Sequence, residues 1–352
     1  MKILLLSRYG QLGSSSRIRF FQYLPFLEAN GWHLDVSPLF SDEYLRALYS
    51  GQPRGRYVLA GYWRRLKALI HVMKYDLVWI EKEVLPFMPA VAERLLAKSN
   101  VPYIVDYDDA WFHRYDLHRN RLVRLILGRK IDSVMKCAAL VVAGNEYLAG
   151  RARAAGARRV EIVPTVVDLA RYRPAQPDEH IPLVIGWIGS PSTAHYLAAV
   201  APVMELLSLE FGVRFVAVGI SEESVSDLPV EAKPWSEEGE VQSIREFDIG
   251  IMPVPDSPFE RGKCGYKLIQ YMACGLPVVA SPVGVNKQIV VHGANGFLAD
   301  DLDQWEQALR ELLSDHDLRR RMGSDGRERM EKWYSLQVQA PRLQMLMRGV
   351  LS

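Results

Sequence analysis

Short apolar runs alternate with longer amphipathic stretches along most of the chain. Short runs bounded by Gly or Pro are typical of buried strands, whereas the stretches between them have helical spacing. Strand–helix–strand order at this spacing predicts a parallel sheet with helices on both faces. The strands expected in the first half are 2–7, 33–40, 75–81, 102–109, 139–144 and 160–164.

The alternation stops at 171–182, "RYRPAQPDEHIP", which has three prolines and no periodicity and therefore reads as a linker. It then restarts with "LVIGWIG", a helix over 195–210, "VRFVAVG", "AKPW", "FDIGIMP", a helix at 265–273, "PVVAS" and "GFLA". We therefore expect two doubly wound α/β domains. A chain of 352 residues has the usual length for two domains. Ligands of such sheets bind at the carboxyl ends of the strands, so the cleft between the domains is the predicted site.

The three cysteines show no CxxC spacing, which favours free thiols in a reducing, cytoplasmic compartment. The apolar start is too short for a signal peptide, and no apolar run approaches the roughly 20 residues of a membrane span. We therefore expect a soluble or at most peripheral protein.

Charge is divided unevenly along the chain. Residues 1–180 hold 27 Lys and Arg against 18 Asp and Glu, a net of +9, whereas 181–352 hold 16 against 23, a net of −7. The basic half either meets an anionic surface or ligand or is attracted to the acidic half. No nucleic-acid partner is expected.

Three cations crowd the start of the predicted helix 265–273: Arg261, Lys263 and Lys267. Cations there oppose the helix dipole, but free backbone N–H groups at a helix start bind anions. A bound diphosphate would give each cation about 1.5–3 kcal/mol from a charge-assisted hydrogen bond. Gln270 shares a face with Lys267 and is placed to reach a nucleoside hydroxyl.

The alternative is that these cations point into solvent or pair with Glu260 and Asp256. Gly265 opens the helix, and Gly275 and Pro277 end it.

"GYKLIQYMACGLPVVASPVGVNKQIVVHGANGFLADDLDQW" resembles the carboxyl-terminal donor-binding signature of the retaining GT-B glycosyltransferases, family 4. "MKILLLSRYGQLGSSSRIR", "YDLVWIEKE", "VVAGNEYLAGRARAAGARRVEIVPTVVDLARYRP" and "PLVIGWIGSPSTAHYLA" extend the resemblance over nearly the whole chain. It implies two Rossmann-like domains facing a central cleft. Residues 1–172, with a carboxyl-terminal helix at about 335–352, would bind the acceptor, and 173–334 the donor.

The resemblance implies a retaining glycosyltransferase of the hexosyltransferase type (EC 2.4). It would move a sugar from a nucleotide-diphosphate sugar, of UDP or GDP type, to a saccharide or lipid-linked acceptor in cell-surface polysaccharide or glycolipid synthesis. No cofactor or metal is implied. The expected location is cytoplasmic, with the inner face of the plasma membrane as a candidate position. The alternatives are a sugar-nucleotide epimerase of the same fold and a non-catalytic subunit that binds nucleotide or glycan.

The resemblance assigns residues to each substrate. The donor residues are Gly189, Ser190, Ser192, Thr193, Gly219, Trp235, Glu260, Arg261, Lys263, Gly265, Tyr266, Lys267 and Gln270. The acceptor residues are Gly10, Gly13, Ser14, Ser15, Arg17, Glu81 and His113. The catalytic group comprises Lys267 with Asp108 and Asp109, which would orient the acceptor hydroxyl.

The chain departs from the family pattern at two glutamate positions, which here hold Gly262 and Gln270. Glu260 is a candidate substitute. The family's Arg/Lys pair after the first donor-domain strand is replaced by "GSPSTAHYL", whose hydroxyls bind phosphate without charge. The cationic role is therefore predicted to lie with Arg261, Lys263 and Lys267.

Several of these assignments keep a structural alternative. Asp108 and Asp109 could cap the next helix, and "YGQLGSSSR" could be a plain strand-to-helix turn. Asp106 and Asp108 form one of three Asp-x-Asp pairs in the chain, so the pair carries no metal signal. Trp235 is as readily a core residue. The basic amphipathic helix at 54–74 either rests on an anionic membrane or packs on the sheet.

Overall fold

A computed structural model describes residues 1–174 and 182–352, so most of the predicted linker 171–182 lies outside the described residues. The chain forms two compact units. Unit 1 comprises Met1–Thr165, Arg261–Cys264 and Gln339–Ser352, and unit 2 comprises Val166–Glu260 and Gly265–Val338.

Unit 1 is built on a six-stranded parallel sheet in the order β2-β1-β3-β4-β5-β6. The strands are β1 (Lys2–Leu6), β2 (His33–Val36), β3 (Leu77–Glu81), β4 (Tyr103–Tyr107), β5 (Leu140–Ala143) and β6 (Val160–Ile162). Four of them, β1 and β3 to β5, are buried along almost their whole length. That burial explains why they read as continuous apolar runs, because helices cover both faces of a parallel sheet.

The helices of unit 1 fill the connections between these strands. They are α1 (Ser14–Arg19), α2 (Leu24–Ala29), α3 (Asp42–Tyr49), α4 (Gly55–Ile70), α5 (Val91–Leu96), α6 (His113–Asp116), α7 (Arg121–Leu127), α8 (Lys130–Cys137) and α9 (Glu146–Ala154), with 3-10 turns at Phe21–Tyr23 and Val72–Lys74. Asn145 caps α9 through a 3.0 Å hydrogen bond from the Leu148 amide.

Unit 2 has a second six-stranded parallel sheet in the order β12-β11-β10-β7-β8-β9. The strands are β7 (Val184–Ile188), β8 (Arg214–Val218), β9 (Glu231–Lys233), β10 (Ile249–Met252), β11 (Val278–Ala280) and β12 (Gly296–Leu298). Successive residues of β7 enter opposite cores: Val184 and Ile188 lie in one apolar cluster, and Ile185 and Trp187 in the other. The sheet therefore packs helices on both faces.

The remaining helices begin in unit 2. They are α10 (Ala201–Phe211), α11 (Glu240–Arg245), α12 (Tyr266–Ala273), α13 (Asn286–Ile289), α14 (Leu302–Ser314), α15 (His316–Trp333) and α16 (Leu336–Leu351), with 3-10 turns at Pro191–Val200, Glu222–Val225 and Glu260–Gly262. The helix expected at 195–210 therefore begins as a 3-10 segment and continues as α10.

The helical stretch Pro191–Phe211 contradicts the expectation that no apolar run approaches membrane-span length. Its 21 residues are long and apolar enough to cross a bilayer, and 33% of its most apolar window is buried. Leu197, Met204 and Leu207 lie in the core of unit 2. Packing in this core accounts for the apolar residues on the buried side of the stretch, because a helix that packs on a globular core is apolar on that side.

The unit boundaries differ from the predicted ones at two places. The first unit ends at Thr165 instead of 172, and it includes the short segment Arg261–Cys264, which the sequence placed in the donor domain. The tail Gln339–Ser352 also belongs to unit 1, where Arg342 lies 3.8 Å from Glu161. The order of residues along the chain does not show that a later segment packs with unit 1, because this depends on the surface that the segment contacts in the folded protein.

A glycine in the middle of α15 permits close helix packing in unit 2. A Cβ at Gly323 would lie 1.9 Å from the carbonyl oxygen of Gly275, just past the end of α12. We expect Gly323→Ala to lower the free energy of unfolding by about 1–3 kcal/mol because rigid backbone would have to move. Urea unfolding measures the loss.

Gly326→Ala, one turn later in α15, is the matched control. Its Cβ would lie 3.1 Å from Cγ of Met272, a flexible side chain. Alanine is also favoured over glycine in a helix by up to about 1 kcal/mol. Equal losses in the two variants would contradict the packing argument.

Candidate functional site

The carboxyl ends of β7 and β8 approach each other closely through two glycines. Gly219 has φ +96°, and a Cβ there would lie 2.1 Å from the carbonyl oxygen of Gly189. The Gly219 amide donates to the Lys233 carbonyl at 2.8 Å, and the Gly189 amide donates to that of Val218 at 2.9 Å. Both glycines are therefore required by close packing, because a Cβ at Gly189 would in turn lie 2.3 Å from the Trp187 ring.

Lys267 lies beside these two glycines, in the first turn of α12. The helix begins after Gly265, which has φ +64°. The Lys267 ammonium is 5.0 Å from the centre of the Trp187 ring, and a Cβ at Gly189 would be 3.0 Å from Lys267 Cε. The structure thus brings the predicted donor residues Gly189, Gly219, Gly265 and Lys267 to one edge of the unit 2 sheet.

The hydroxyl residues after β7 are at the same edge. Ser190 and Ser192 are exposed, and their Oγ atoms are 2.8 Å apart. Thr193 Oγ1 donates to the Ser190 carbonyl at 3.1 Å. These residues open the 3-10 segment with polar groups that can donate to a phosphate.

Glu260 accepts two hydroxyl hydrogen bonds within unit 2. Tyr196 donates to Oε1 at 2.7 Å, and Ser257 donates to Oε2. The carboxylate is therefore oriented by its neighbours, as a group that positions a ligand must be.

The predicted residues of unit 1 gather where β3 and β4 end. Lys82 is a buried residue with φ +65°, a strained conformation for a non-glycine residue. Its ammonium lies 2.9 Å from Asp108 Oδ1 and 3.7 Å from Asp109 Oδ2. Ser15 hydrogen-bonds to Asp108. The paired aspartates therefore share one buried cation at the carboxyl edge of this sheet.

The pKa values of the two aspartates shift in opposite directions. Burial is the largest influence on the pKa of Asp108 and raises it, but Lys82, Arg19 and Ser15 together outweigh burial, so the net shift is downward. Burial and the neighbouring Asp108 charge raise the pKa of Asp109, against the attraction of Lys82 and Lys263. Environments that separate two carboxyl pKa values are characteristic of functional sites.

Glu81 connects β3 to the glycine–serine loop. One of its oxygens accepts from the Arg8 amide at 2.7 Å and from Ser16 Oγ at 2.6 Å. Burial raises the pKa of Glu81. In this loop, a Cβ at Gly13 would lie 2.3 Å from Tyr9 Cβ, and one at Gly10 would lie 2.5 Å from Asp42 Oδ1.

The other acceptor candidates have mixed surroundings. Ser14 is exposed, whereas Arg17 is buried and donates to the Gln11 carbonyl at 3.4 Å. His113 lies between Asp116, 2.8 Å from Nδ1, and Tyr147, 2.9 Å from Nε2. Their roles toward an acceptor stay predictions.

The segment Arg261–Cys264 is attached to unit 1 by two side chains. Asn145 Nδ2 donates to the carbonyls of Gly262 at 2.9 Å and Lys263 at 3.0 Å. Burial raises the pKa of the Cys264 thiol to about 12, and that neutral thiol donates to the Asp108 carbonyl at 3.1 Å. Asn145 was missed by the sequence analysis, since an asparagine after a strand signals only a helix cap.

Asp106 pairs with Arg19 at 2.7 Å, whereas Asp108 pairs with Lys82. Within the described ranges, no group of three or more His, Cys, Asp or Glu residues could hold a metal ion.

Residues 183–315 match the family of glycosyl transferases group 1. The D-inositol 3-phosphate glycosyltransferase of Nocardia farcinica is 30% identical over 196 residues, which are 47% of this chain and 42% of that protein. The chain thus spans less than half the length of this relative. Sucrose-phosphate synthase from Thermosynechococcus elongatus has the same fold, with a TM-score of 0.74, 16% identity and 99% of each chain covered.

Anabaena HepE in complex with UDP-glucose also has this fold, with a TM-score of 0.71 and 17% identity over 99% of this chain and 100% of that one. The chain has the GT-B fold, and its residues 183–315 match the glycosyl transferases group 1 family. The predicted resemblance and the predicted fold of two Rossmann-like domains are confirmed.

In this GT-B protein, the two positions that depart from the family pattern have packing partners. A Cβ at Gly262 would lie 2.5 Å from Ala110 Cβ, so no side chain fits there without movement. Gln270 is 2% exposed, and its amide donates to the Tyr172 hydroxyl at 2.8 Å. The role predicted for Gln270 toward a nucleoside stays a prediction.

The Gln270 contact belongs to a larger network in unit 2. Tyr172 donates to Glu240, and Trp235 Nε1 donates to the same carboxylate at 2.8 Å. The hydroxyls of Tyr172 and Tyr266 are 3.3 Å apart. Trp235 is therefore oriented by Glu240 at the sheet edge, and sequence spacing gave no sign of this partner.

The three cations that motivated the anion-site hypothesis are divided between the units. Arg261 and Lys263 pack with unit 1, and Lys267 is in unit 2. The role of the three cations toward one anion stays a prediction. Lys267 is in the first turn of α12, which begins at Tyr266.

Proposed function

We propose that this GT-B protein is a retaining glycosyltransferase of the hexosyltransferase type (EC 2.4). It moves a sugar from a nucleotide-diphosphate sugar to a saccharide or lipid-linked acceptor. The observation that carries the proposal is Lys267 beside the glycine edge formed by Gly189 and Gly219, in a domain that matches group 1 glycosyl transferases.

The proposed chemistry concerns charge on the leaving group. Negative charge develops on the diphosphate as the glycosidic bond to the donor breaks, and a fixed cation with free helix N–H groups stabilises it. Lys267 supplies the cation, and Ser190 and Thr193 supply hydroxyl donors. The departing phosphate accepts the proton of the attacking hydroxyl, so no enzymic nucleophile takes part.

Asp108 and Asp109 are proposed to orient the acceptor. Asp108 is held ionised by Lys82, while the raised pKa of Asp109 suits a group that exchanges a proton with a hydroxyl. Ser15, which hydrogen-bonds to Asp108, would help to set the direction of that carboxylate.

The relatives suggest which substrates to test first. HepE binds UDP-glucose, so UDP-sugars lead the donor panel, with GDP-sugars next. The Nocardia protein is named for D-inositol 3-phosphate, so phosphorylated polyols join saccharides and lipid-linked sugars as acceptors. We propose that the reaction needs no cofactor or metal ion and serves cell-surface polysaccharide or glycolipid synthesis on the cytoplasmic side.

The test combines binding with turnover. Thermal unfolding is measured against UDP, GDP, ADP and their sugars, because ligands that bind the native state raise its stability. Donors that stabilise the protein are then incubated with and without acceptors, with and without EDTA. We expect nucleoside diphosphate to be released only when an acceptor is present. We also expect the transferred sugar to have the same anomeric configuration in the product as in the donor.

The two rival functions give different results. Sugar release without any acceptor would indicate the epimerase. Nucleotide binding without turnover under every condition would indicate a non-catalytic subunit, which the packed positions Gly262 and Gln270 favour. Absence of nucleotide binding would overturn the proposal.

A further inference from the structure

Helix α4 carries large apolar side chains on the side that faces solvent. Leu59, Trp63, Leu66 and Ile70 are 75%, 61%, 43% and 76% exposed, and Met73 in the following turn is 61% exposed. Their spacing of three or four residues places them in one stripe along the helix. Such a stripe on a globular protein normally faces the core.

The core side of α4 is formed by a glycine and an arginine. A Cβ at Gly61 would lie 2.3 Å from the Leu39 carbonyl oxygen, so the helix backbone packs directly against this segment. Arg65 is 1% exposed and donates to the Ser7 carbonyl. The side of α4 that is buried in unit 1 is therefore the Gly61 and Arg65 side, and most of the apolar stripe faces solvent.

Two further segments of unit 1 expose apolar residues. Phe87 and Met88, in the turn after β3, are 53% and 45% exposed. On α7, Leu122, Leu125 and Ile126 are 64%, 82% and 64% exposed. Contiguous exposed apolar residues of this kind mark an interaction surface.

Direct contacts link the three segments. Tyr62 of α4 donates to the Pro86 carbonyl at 2.6 Å. The Phe87 ring lies 6.4 Å from the ring of His118, whose carbonyl accepts from Arg124 of α7. We call the exposed apolar residues of α4, the 87–88 turn and α7 the α4–α7 surface.

Cations outnumber acidic residues around the α4–α7 surface. Residues 44–75 and 117–131 contain no Asp or Glu. Arg64 and Lys67 on α4 are exposed, and so are Arg121 and Arg129 on and after α7. Glu43, Asp116 and Asp132 lie at the margins of these ranges, so the apolar residues are flanked by an excess of cations. Such a surface is complementary to one that is apolar below a layer of negative charge.

We propose that the α4–α7 surface binds the face of an anionic lipid bilayer. The apolar stripe would enter the boundary between headgroups and acyl chains, and the cations would lie among the anionic headgroups. The orientation of α4 supports a lipid bilayer as the partner, because a helix that lies at a membrane interface needs its apolar face directed away from the protein core. The inference does not depend on the donor site.

Vesicle flotation of the full chain tests this proposal without nucleotide or acceptor. We expect binding at low salt to vesicles that contain phosphatidylglycerol, weaker binding at high salt, and no binding to phosphatidylcholine alone. Trp63→Glu and Leu125→Glu should each lower the apparent affinity by about tenfold or more. Trp63→Phe should keep most of the affinity for these vesicles.

Leu209→Glu is the matched control, since Leu209 on α10 of unit 2 is 88% exposed and lies in the other apolar stretch, Pro191–Phe211. It should leave flotation unchanged, and circular dichroism should show all variants folded. Loss of binding in Leu209→Glu alone would overturn the proposal. So would equal binding to neutral vesicles, no binding to anionic ones, or a self-association that the Glu variants abolish without any lipid binding.

Discussion

Replacing Lys267 by methionine is expected to lower kcat/KM for sugar transfer by about 100-fold to 1,000-fold. The Lys267 side chain lies beside Gly189 at the carboxyl end of β7, and its ammonium is 5.0 Å from the centre of the Trp187 ring. Removal of one preorganised group that stabilises developing negative charge typically has an effect of this size. Initial rates with the donor identified by the binding screen measure it.

Lys287→Met provides the matched control for this substitution. Lys287 is an exposed lysine on α13 of the same unit, so the change in net charge is identical. We expect the control to retain its rate and its affinity for nucleoside diphosphate. Unchanged diphosphate affinity in Lys267→Met, in a protein that unfolds at the normal temperature, would refute the assignment of Lys267 to the donor.

Arg19→Met is expected to lower the free energy of unfolding by about 3–5 kcal/mol at pH 8, because it leaves an uncompensated buried carboxylate. Arg19 and Asp106 are each 2% exposed. The guanidinium donates to Asp106 Oδ1 at 2.9 and 2.7 Å and to the Val163 carbonyl at 2.8 Å. Urea unfolding gives the free-energy difference.

This loss should depend on pH. Burial raises the pKa of Asp106 to about 6, although Arg19 opposes the rise, and without Arg19 the pKa will be higher. An unfolded aspartate titrates near 3.9. Between these values the folded variant holds a proton that the unfolded chain releases, so stability falls as pH rises. We therefore expect Arg19→Met to lower the free energy of unfolding by less at pH 5 than at pH 8.

Two comparisons separate this effect from general loss of packing. Asp106→Asn combined with Arg19→Met should recover part of the stability because no buried charge then remains. Arg214→Met, which removes an exposed pair with Glu231 at 2.5 Å, should lose less than about 1 kcal/mol. A deficit in Arg19→Met that is the same at pH 5 and pH 8 would contradict the electrostatic explanation.

The strands and the order of elements could be predicted from residues alone. A parallel strand buried on both faces must be apolar at successive positions, so "LVVA" and "VIGWI" are recognisable without any partner. The start and end of α12 were also predictable, because Gly265 and Gly275 adopt positive φ that other residues avoid. These features depend on local backbone geometry and on burial of the segment itself.

Other features required the folded chain. The apolar period of α4 is the same whether its stripe faces the sheet or solvent, and the packing of Gly61 against Leu39 determines which side is buried. Asn145 holds Gly262 and Lys263 to unit 1 across 117 and 118 residues of sequence, so no local pattern separates these residues from Lys267. Local sequence specifies a residue's own conformation, whereas its neighbours in space depend on surfaces contributed by distant parts of the chain.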